Sequence, residues 1–180
     1  MFEWFDHAGF VAIIVIVVLF LLFFFTVWKY IYRSAILKSW FRRESLSLKA
    51  LLSGADQPSF DSTLYPCVRQ GLGVPLMKAC YESALKESTS GITSLSAIAS
   101  TAPFIGLFGT IVSILQAFSG FKEGVTLSIV APAISEALVV TAAGIFVAVP
   151  AYWAHLFLKR RAYEIANALK IQIDILTSRN

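Results

Sequence analysis

Apolar residues in this chain gather into three long runs, separated by stretches in which apolar and polar positions alternate at helical spacing. A bilayer's hydrocarbon core takes about 20 residues of helix, and each run is long enough. The first covers residues 10–32 and is rich in Val, Ile, Leu and Phe, with almost no Gly or Ser. Bulky side chains all round a helix mean that much of its surface faces lipid. Trp28, Tyr30 and Tyr32 form an aromatic belt at one end of it. The second run covers residues 91–119 and the third 126–158, with a short polar turn, 120–125, between them. The pattern predicts three transmembrane helices, flanked by residues 1–9, 33–90 and 159–180.

The connecting stretches also read as helix. Arg33 to Leu52 continues the first span, with Ile36, Leu37, Trp40, Phe41 and Leu48 near one face. Ser53 to Ser59, with Gly54 and Pro58, is a break. Phe60 to Gly71 is expected to form another short helix, ended by Gly71-Leu72-Gly73. Pro75 sits well in a first helical turn. The pattern then passes through Leu76, Cys80, Ala84, Ile92 and Leu95 with no strong stop, Gly91 weakening it only slightly. One long helix ending near Ser119 is expected. After Leu158 the third span is expected to continue to about Thr177, with Ala162, Ile165, Ala166, Leu169, Ile173 and Leu176 on one face. Arg160 and Glu164, at i and i+4, support it. No internal repeat or strand pattern is visible, so the fold class is an all-α integral membrane protein.

Composition agrees. The chain is 57% hydrophobic with a mean hydropathy of +0.73, too apolar for an ordinary soluble domain. The soluble pieces leave no room for a large separate catalytic domain. The net charge of +4 is not a nucleic-acid signal, because the basic residues flank the apolar runs. Glu3 and Asp6 precede the first span, and Lys29, Arg33, Lys38, Arg42, Arg43 and Lys49 follow it. Lys159, Arg160 and Arg161 follow the third. The positive-inside rule then puts the N-terminus and the 120–125 turn outside, and residues 33–90 and 159–180 in the cytoplasm. The first run has no basic n-region and no small-residue cleavage site, so it is expected to be retained as a span. Cys67 and Cys80 fall on the cytoplasmic side, where disulfides are rare. They are expected to be ordinary buried thiols.

Between Lys86-Glu87 and Lys159 the only charged residues are Lys122 and Glu123 in the turn and Glu136 in the third span. An acid at membrane depth costs a few kcal/mol on insertion scales. It is kept where it faces protein or water. Glu136 is either a carboxyl locked into a helix interface or part of an ion path. Ala99, Ala102, Gly106, Thr110, Ser113 and Ala117 form a small-residue stripe on the second span. Ala133, Ala137, Thr141, Gly144, Ala148 and Ala151 form another on the third. Such stripes let helices approach closely in lipid, and facing threonines in an oligomer would form polar rings around a lumen. Glu136 and Thr141 lie five residues apart, about 140° around a regular helix. Both cannot point squarely into one lumen. Pro103, Pro132 and Pro150 each remove a backbone hydrogen bond inside a span and are expected to kink it. His155 reads as an interfacial residue rather than a ligand. No phosphate-binding loop, HExxH pair or Ser-His-Asp set is present. The chain calls for no cofactor or metal and is not expected to be an enzyme. Energy for any work must come from elsewhere, such as a membrane potential.

The stretches Ala102-Pro103-Phe-Ile-Gly106-Leu-Phe-Gly109-Thr110, Ala131-Pro132-Ala-Ile-Ser-Glu136-Ala137-Leu, Thr141-Ala-Ala-Gly144 and Val149-Pro150-Ala151 resemble the ExbB/TolQ/MotA family of proton-channel subunits, in its ExbB and TolQ branch. The resemblance covers residues 90 to 160 well. The first span and the middle segment match only in kind. The chain is shorter than a typical member in its middle segment, and the run Ile111-Val-Ser-Ile-Leu-Gln-Ala-Phe118 lacks the Trp common there. Nothing resembles the large cytoplasmic domain of the flagellar branch.

The resemblance implies a homopentamer in the bacterial inner membrane, with a periplasmic N-terminus and a cytoplasmic C-terminus. The second and third spans would line a central pore holding a single-span partner dimer similar to ExbD or TolR, which carries an Asp. Proton passage would drive motion passed to a TonB- or TolA-like protein, for TonB-dependent import or Tol-Pal envelope maintenance. Thr110 and Thr141 match the family's pore-facing threonines, and Glu136 its membrane glutamate. Pro103, Gly106, Gly109, Pro132, Gly144 and Pro150 fall at its kinks and close contacts. Two other classes remain. A passive membrane scaffold would recruit partners through its cytoplasmic helices and would tolerate apolar replacements at Thr110 and Glu136. A transporter formed by this chain alone has little room for a midplane site.

Overall fold

A computed structural model describes residues 10–70, 73–119 and 127–178, with side chains at 10–70, 73–118 and 131–178. The expected outer segment 1–9, the break at Gly71-Leu72 and the turn 120–125 lie outside the described residues. The described chain forms α1 (Phe10–Leu52), α2 (Tyr65–Gln70), α3 (Val74–Thr89), α4 (Ile92–Ser119) and α5 (Leu127–Ser178). No strand is present among the described residues. Helix long and apolar enough to cross a membrane lies within Phe10–Leu52, Val74–Phe118 and Ala131–Ser178. The all-helical, three-span expectation holds, as do the continuations of the first and third spans past Tyr32 and Leu158.

The chain divides into two compact units: Met1–Lys29 with Ser94–Ala154, and Tyr30–Thr93 with His155–Asn180. The first holds the apolar lengths of α1, α4 and α5. Its core is Ala12, Val15 and Leu19 from α1, Ile98 and Ala102 from α4, and Val140, Val147, Ala148 and Ala151 from α5. Four of these nine side chains are alanine, so backbones approach closely. In lipid that is the source of cohesion, because there is no hydrophobic drive between helices. Thr26 is buried, and its hydroxyl donates to its own helix at Leu22 O, 2.8 Å away. Phe20, Phe24, Phe104, Phe108, Leu138 and Phe146 are exposed, which suits a surface solvated by acyl chains.

The second unit packs the polar ends of α1 and α5 with α2 and α3. Leu51, Val68, Met77 and Leu176 form one core cluster. Beside them Glu44, Ser47, Ser62 and Gln172 are buried. The Glu44 carboxylate accepts from Ser62 Oγ at 2.8 Å, Thr63 N–H at 2.8 Å, Thr63 Oγ1 at 2.7 Å, Gln172 Nε2 at 3.1 Å and Trp40 Nε1 at 3.3 Å. Ser47 Oγ donates to Gln172 Oε1 at 2.8 Å and accepts from Ser59 N–H at 3.0 Å. The segment after α1 is thereby clasped to α1 and α5.

Three expectations are corrected in this unit. Phe60–Leu64 is not helical, and α2 begins only at Tyr65. Ser62 and Thr63 are held by Glu44, and short polar side chains bonded this way compete with helix. The second correction is the break between α3 and α4 at Ser90-Gly91, where one long helix was expected. Gly91 has φ +74°, the left-handed conformation in which glycine ends helices. Arg33 Nη2 donates to the carbonyls of Glu87 at 2.9 Å and Ser88 at 3.0 Å, placing a cation at the negative end of α3. Third, Cys67 and Cys80 are not free thiols. The meeting of α2 with α3 brings their Cα atoms to 6.7 Å, and a disulfide joins them.

Candidate functional site

The site is built where the small-residue stripes of α4 and α5 meet. An ideal Cβ on Gly144 would lie 2.7 Å from Ala102 O and 3.0 Å from Gly106 Cα. One on Gly106 would lie 3.0 Å from Val140 O and 3.1 Å from Gly144 Cα. A side chain at Gly144 has no room because backbone occupies the space, and one at Gly106 would be tight against backbone as well. Gly109, one turn nearer the 120–125 end, meets Val140 and Val15 instead; its Cβ would lie 2.6 Å from Val140 Cγ1.

This approach brings Thr110 and Thr141 together. Their hydroxyls share a hydrogen bond across the two helices. Thr110 Oγ1 is also 3.2 Å from Gly106 O and 3.1 Å from Ala137 O, and Thr141 Oγ1 is 3.5 Å from Gly106 O. Two hydroxyl protons therefore have two carbonyls and each other as acceptors. Each hydroxyl oxygen keeps lone-pair capacity. Both threonines are half-buried. The pair is a polar spot, fixed in place, in a unit whose core cluster is apolar. Ser113, one turn along α4, has a buried Oγ with no partner among the described residues.

Glu136 stands outside this cluster. It is half-buried and makes no hydrogen bond or ion pair among the described residues. Its neighbour Ala137 is buried and supplies the carbonyl to Thr110. The split between Glu136 and Thr141 is what the helical rotation between them requires. Pro103 lies within continuous α4, and Pro132 and Pro150 within continuous α5. His155, in the second unit, has Nδ1 3.3 Å from Ile92 O at the start of α4. Among the described residues no group of His, Cys, Asp and Glu is placed to hold a metal.

The sequence pattern named the threonines and glycines but not the Thr110–Thr141 bond, nor Ser113 as an unpartnered hydroxyl. Glu44 and Gln172 were also missed. Their signal was a polar residue on the apolar face of each helix: Glu44 among Leu37, Trp40 and Leu51, and Gln172 beside Leu169 and Leu176.

Comparison with known proteins extends these observations. The sequence profile described as the MotA/TolQ/ExbB proton channel family matches residues 74–171, which contain the whole α4–α5 site. A Helicobacter pylori protein named as biopolymer transport protein ExbB-like 1 is 41% identical over 181 aligned residues, covering 97% of this chain and 95% of that one. ExbB of Neisseria gonorrhoeae is 53% identical over 72 residues, 39% of this chain and 33% of its own. TolQ of Haemophilus influenzae is 45% identical over 87 residues, 47% of this chain and 38% of its own. A profile matching more than half of the chain and a relative aligned along nearly all of it lead to one conclusion: this multi-pass membrane protein belongs to the MotA/TolQ/ExbB proton channel family.

Proposed function

We propose that the chain is the pore-forming subunit of a proton-driven motor in the bacterial inner membrane. The observation that carries this reading is the Thr110–Thr141 pair, held by the Gly106–Gly144 contact inside the segment that matches the proton channel family. A hydroxyl pair with spare lone pairs in an apolar setting suits the relay of a proton through water. A membrane potential supplies about 2.3 kcal/mol per charge per 100 mV to drive it.

In this reading the subunit is a homopentamer, and the spans of α4 and α5 line its pore. The N-terminus is periplasmic, residues 33–90 and 159–180 are cytoplasmic, and 120–125 is a periplasmic turn. The bands of exposed phenylalanine and leucine on α1, α4 and α5 meet lipid or neighbouring subunits. A single-span partner dimer, similar to ExbD or TolR, occupies the pore and carries the acid that takes the proton. A TonB- or TolA-like protein then delivers the motion to the outer membrane. The ExbB-like role, TonB-dependent import, is favoured over Tol-Pal envelope maintenance, because a relative aligned along nearly all of the chain bears the ExbB-like name. The subunit works as a channel rather than as an enzyme.

Native mass spectrometry of the complex, extracted gently from its host, tests this reading. Five copies with a small single-span protein carrying a membrane Asp are expected. A monomer or dimer with only soluble partners would replace the motor with a membrane scaffold.

A further inference from the structure

The Cys67–Cys80 disulfide ties α2 to α3, and both residues are half-buried rather than sealed in the core. The chain on either side of α2 is fastened by other means. Upstream, Ser62 and Thr63 are bonded to Glu44. Downstream, the last turn of α3 is held by Arg33. Between these anchors α2 has six residues, of which only Val68 is buried. A helix this short does not hold itself together in water. Opening the disulfide therefore removes a main restraint on α2 and leaves the neighbouring anchors in place.

The proposed topology puts this pair in the cytoplasm, and the inference rests on that reading. Ordinary cytoplasm keeps thiols reduced, and the disulfides that do form there are usually transient, catalytic or redox-sensing. The half-buried cysteines and the single buried side chain of α2 match that kind rather than a permanent staple. We propose that Cys67 and Cys80 form a reversible redox tie that fastens α2 to α3 when oxidised and releases it when reduced. In reduction, a thiolate of a cytoplasmic dithiol reductant attacks one sulfur and expels the other. The reductant's second thiol then resolves the mixed disulfide. Two electrons and two protons pass to the protein, which gains two thiols, and the reductant leaves as a disulfide. Oxidation is the same exchange run backwards with a disulfide-bearing carrier.

The chain has two cysteines, so gel shift with a polyethylene-glycol maleimide after acid quenching of whole cells reads the pair directly. Two adducts are expected in untreated cells, none after diamide, and two again after washout. Two adducts that persist through diamide would overturn the proposal. In the purified full chain, trypsin cleavage after the exposed Arg69 should be faster in the reduced form by about tenfold, as local opening predicts. The C67S/C80S variant should be cut at the reduced rate with or without oxidant. Equal cleavage of both wild-type forms would also overturn it. In spheroplasts tested directly after diamide oxidation, opening of the bond by a membrane-impermeant phosphine would place the pair outside the cytoplasm. That result sinks the topology and leaves a structural bond, whereas opening by permeant dithiothreitol alone supports both.

Discussion

Thr110 and Thr141 bond to each other across α4 and α5, 31 residues apart in sequence. Each also reaches a backbone carbonyl, so the geometry needs a hydroxyl on both helices. Serine keeps that hydroxyl and valine keeps only the shape. Thr110→Ser and Thr141→Ser are expected to preserve proton flux to within about twofold. The valine variants should lose about tenfold or more, equivalent to ~1.4 kcal/mol at the barrier. Proton uptake by vesicles carrying the subunit with its partner checks this. Full flux through the two valine variants would remove the threonines from the path.

The Gly106–Gly144 contact makes an asymmetric prediction. A methyl on Gly144 runs into Ala102 O at 2.7 Å, whereas one on Gly106 stands 3.0 Å from Val140 O. Gly144→Ala must push two helix backbones apart, at a cost of about 1–3 kcal/mol by analogy with overpacked cores. Gly106→Ala should cost less. Because the same contact sets the threonine pair, Gly144→Ala should reduce flux as well as stability. Graded denaturation of the detergent-solubilised protein, beside the vesicle assay, separates the two variants. Equal stability of Gly144→Ala and the parent would show that the helices yield freely here.

How much of this was legible beforehand differs by level. The spans were, because some 20 apolar residues in a row leave few alternatives to a membrane helix. The small-residue stripes were, because helical periodicity places Gly106 and Thr110, or Thr141 and Gly144, on one face without knowledge of the partner. What periodicity does not carry is pairing between distant segments. Glu44 and Gln172 lie 128 residues apart and complete each other's hydrogen bonds; each alone looks like a polar residue on an apolar face. Cys67 and Cys80 were read from their compartment rather than their geometry. Gly91 was read as a weak spot, although a glycine after Ser88-Thr89-Ser90 is also a helix terminator, and Arg33 supplies the charge that completes the end.

Glu136 is the lone carboxyl inside the third span, and within the described residues of one chain nothing is bonded to it. In the proposed assembly this carboxyl would meet its proton, water or partner at the pore or the subunit seam. Glu136→Gln keeps size and hydrogen-bonding capacity and removes the exchangeable charge. It is expected to leave oligomer assembly intact and to lower proton flux by about tenfold or more. Glu136→Ala should lower flux at least as far. Intact flux in the Gln variant, combined with failed assembly of the Ala variant, would make Glu136 a structural carboxyl. Native mass spectrometry and the vesicle assay together distinguish these outcomes.

Glu44 tests whether the polar clasp of the second unit matters for stability. Its carboxylate collects donors from Ser62, Thr63, Trp40 and Gln172 while fully buried. Glu44→Ala deletes the acceptor and leaves several of those donors buried without one, each costing about 1–3 kcal/mol where it finds no water. A net loss of about 2–4 kcal/mol is expected, since part of the cluster can rearrange. Glu44→Gln puts an NH₂ donor where an oxygen now accepts, so it should fall between the alanine variant and the parent. The Thr110–Thr141 site draws on none of these bonds, so a Glu44 variant that still assembles should keep its proton flux. Thermal unfolding in detergent gives the stability order, and protease protection of residues 53–64 shows whether the clasped segment is what is released. Parent-like stability of Glu44→Ala would mean that water replaces the carboxylate at no cost and that the clasp is not what holds this segment down.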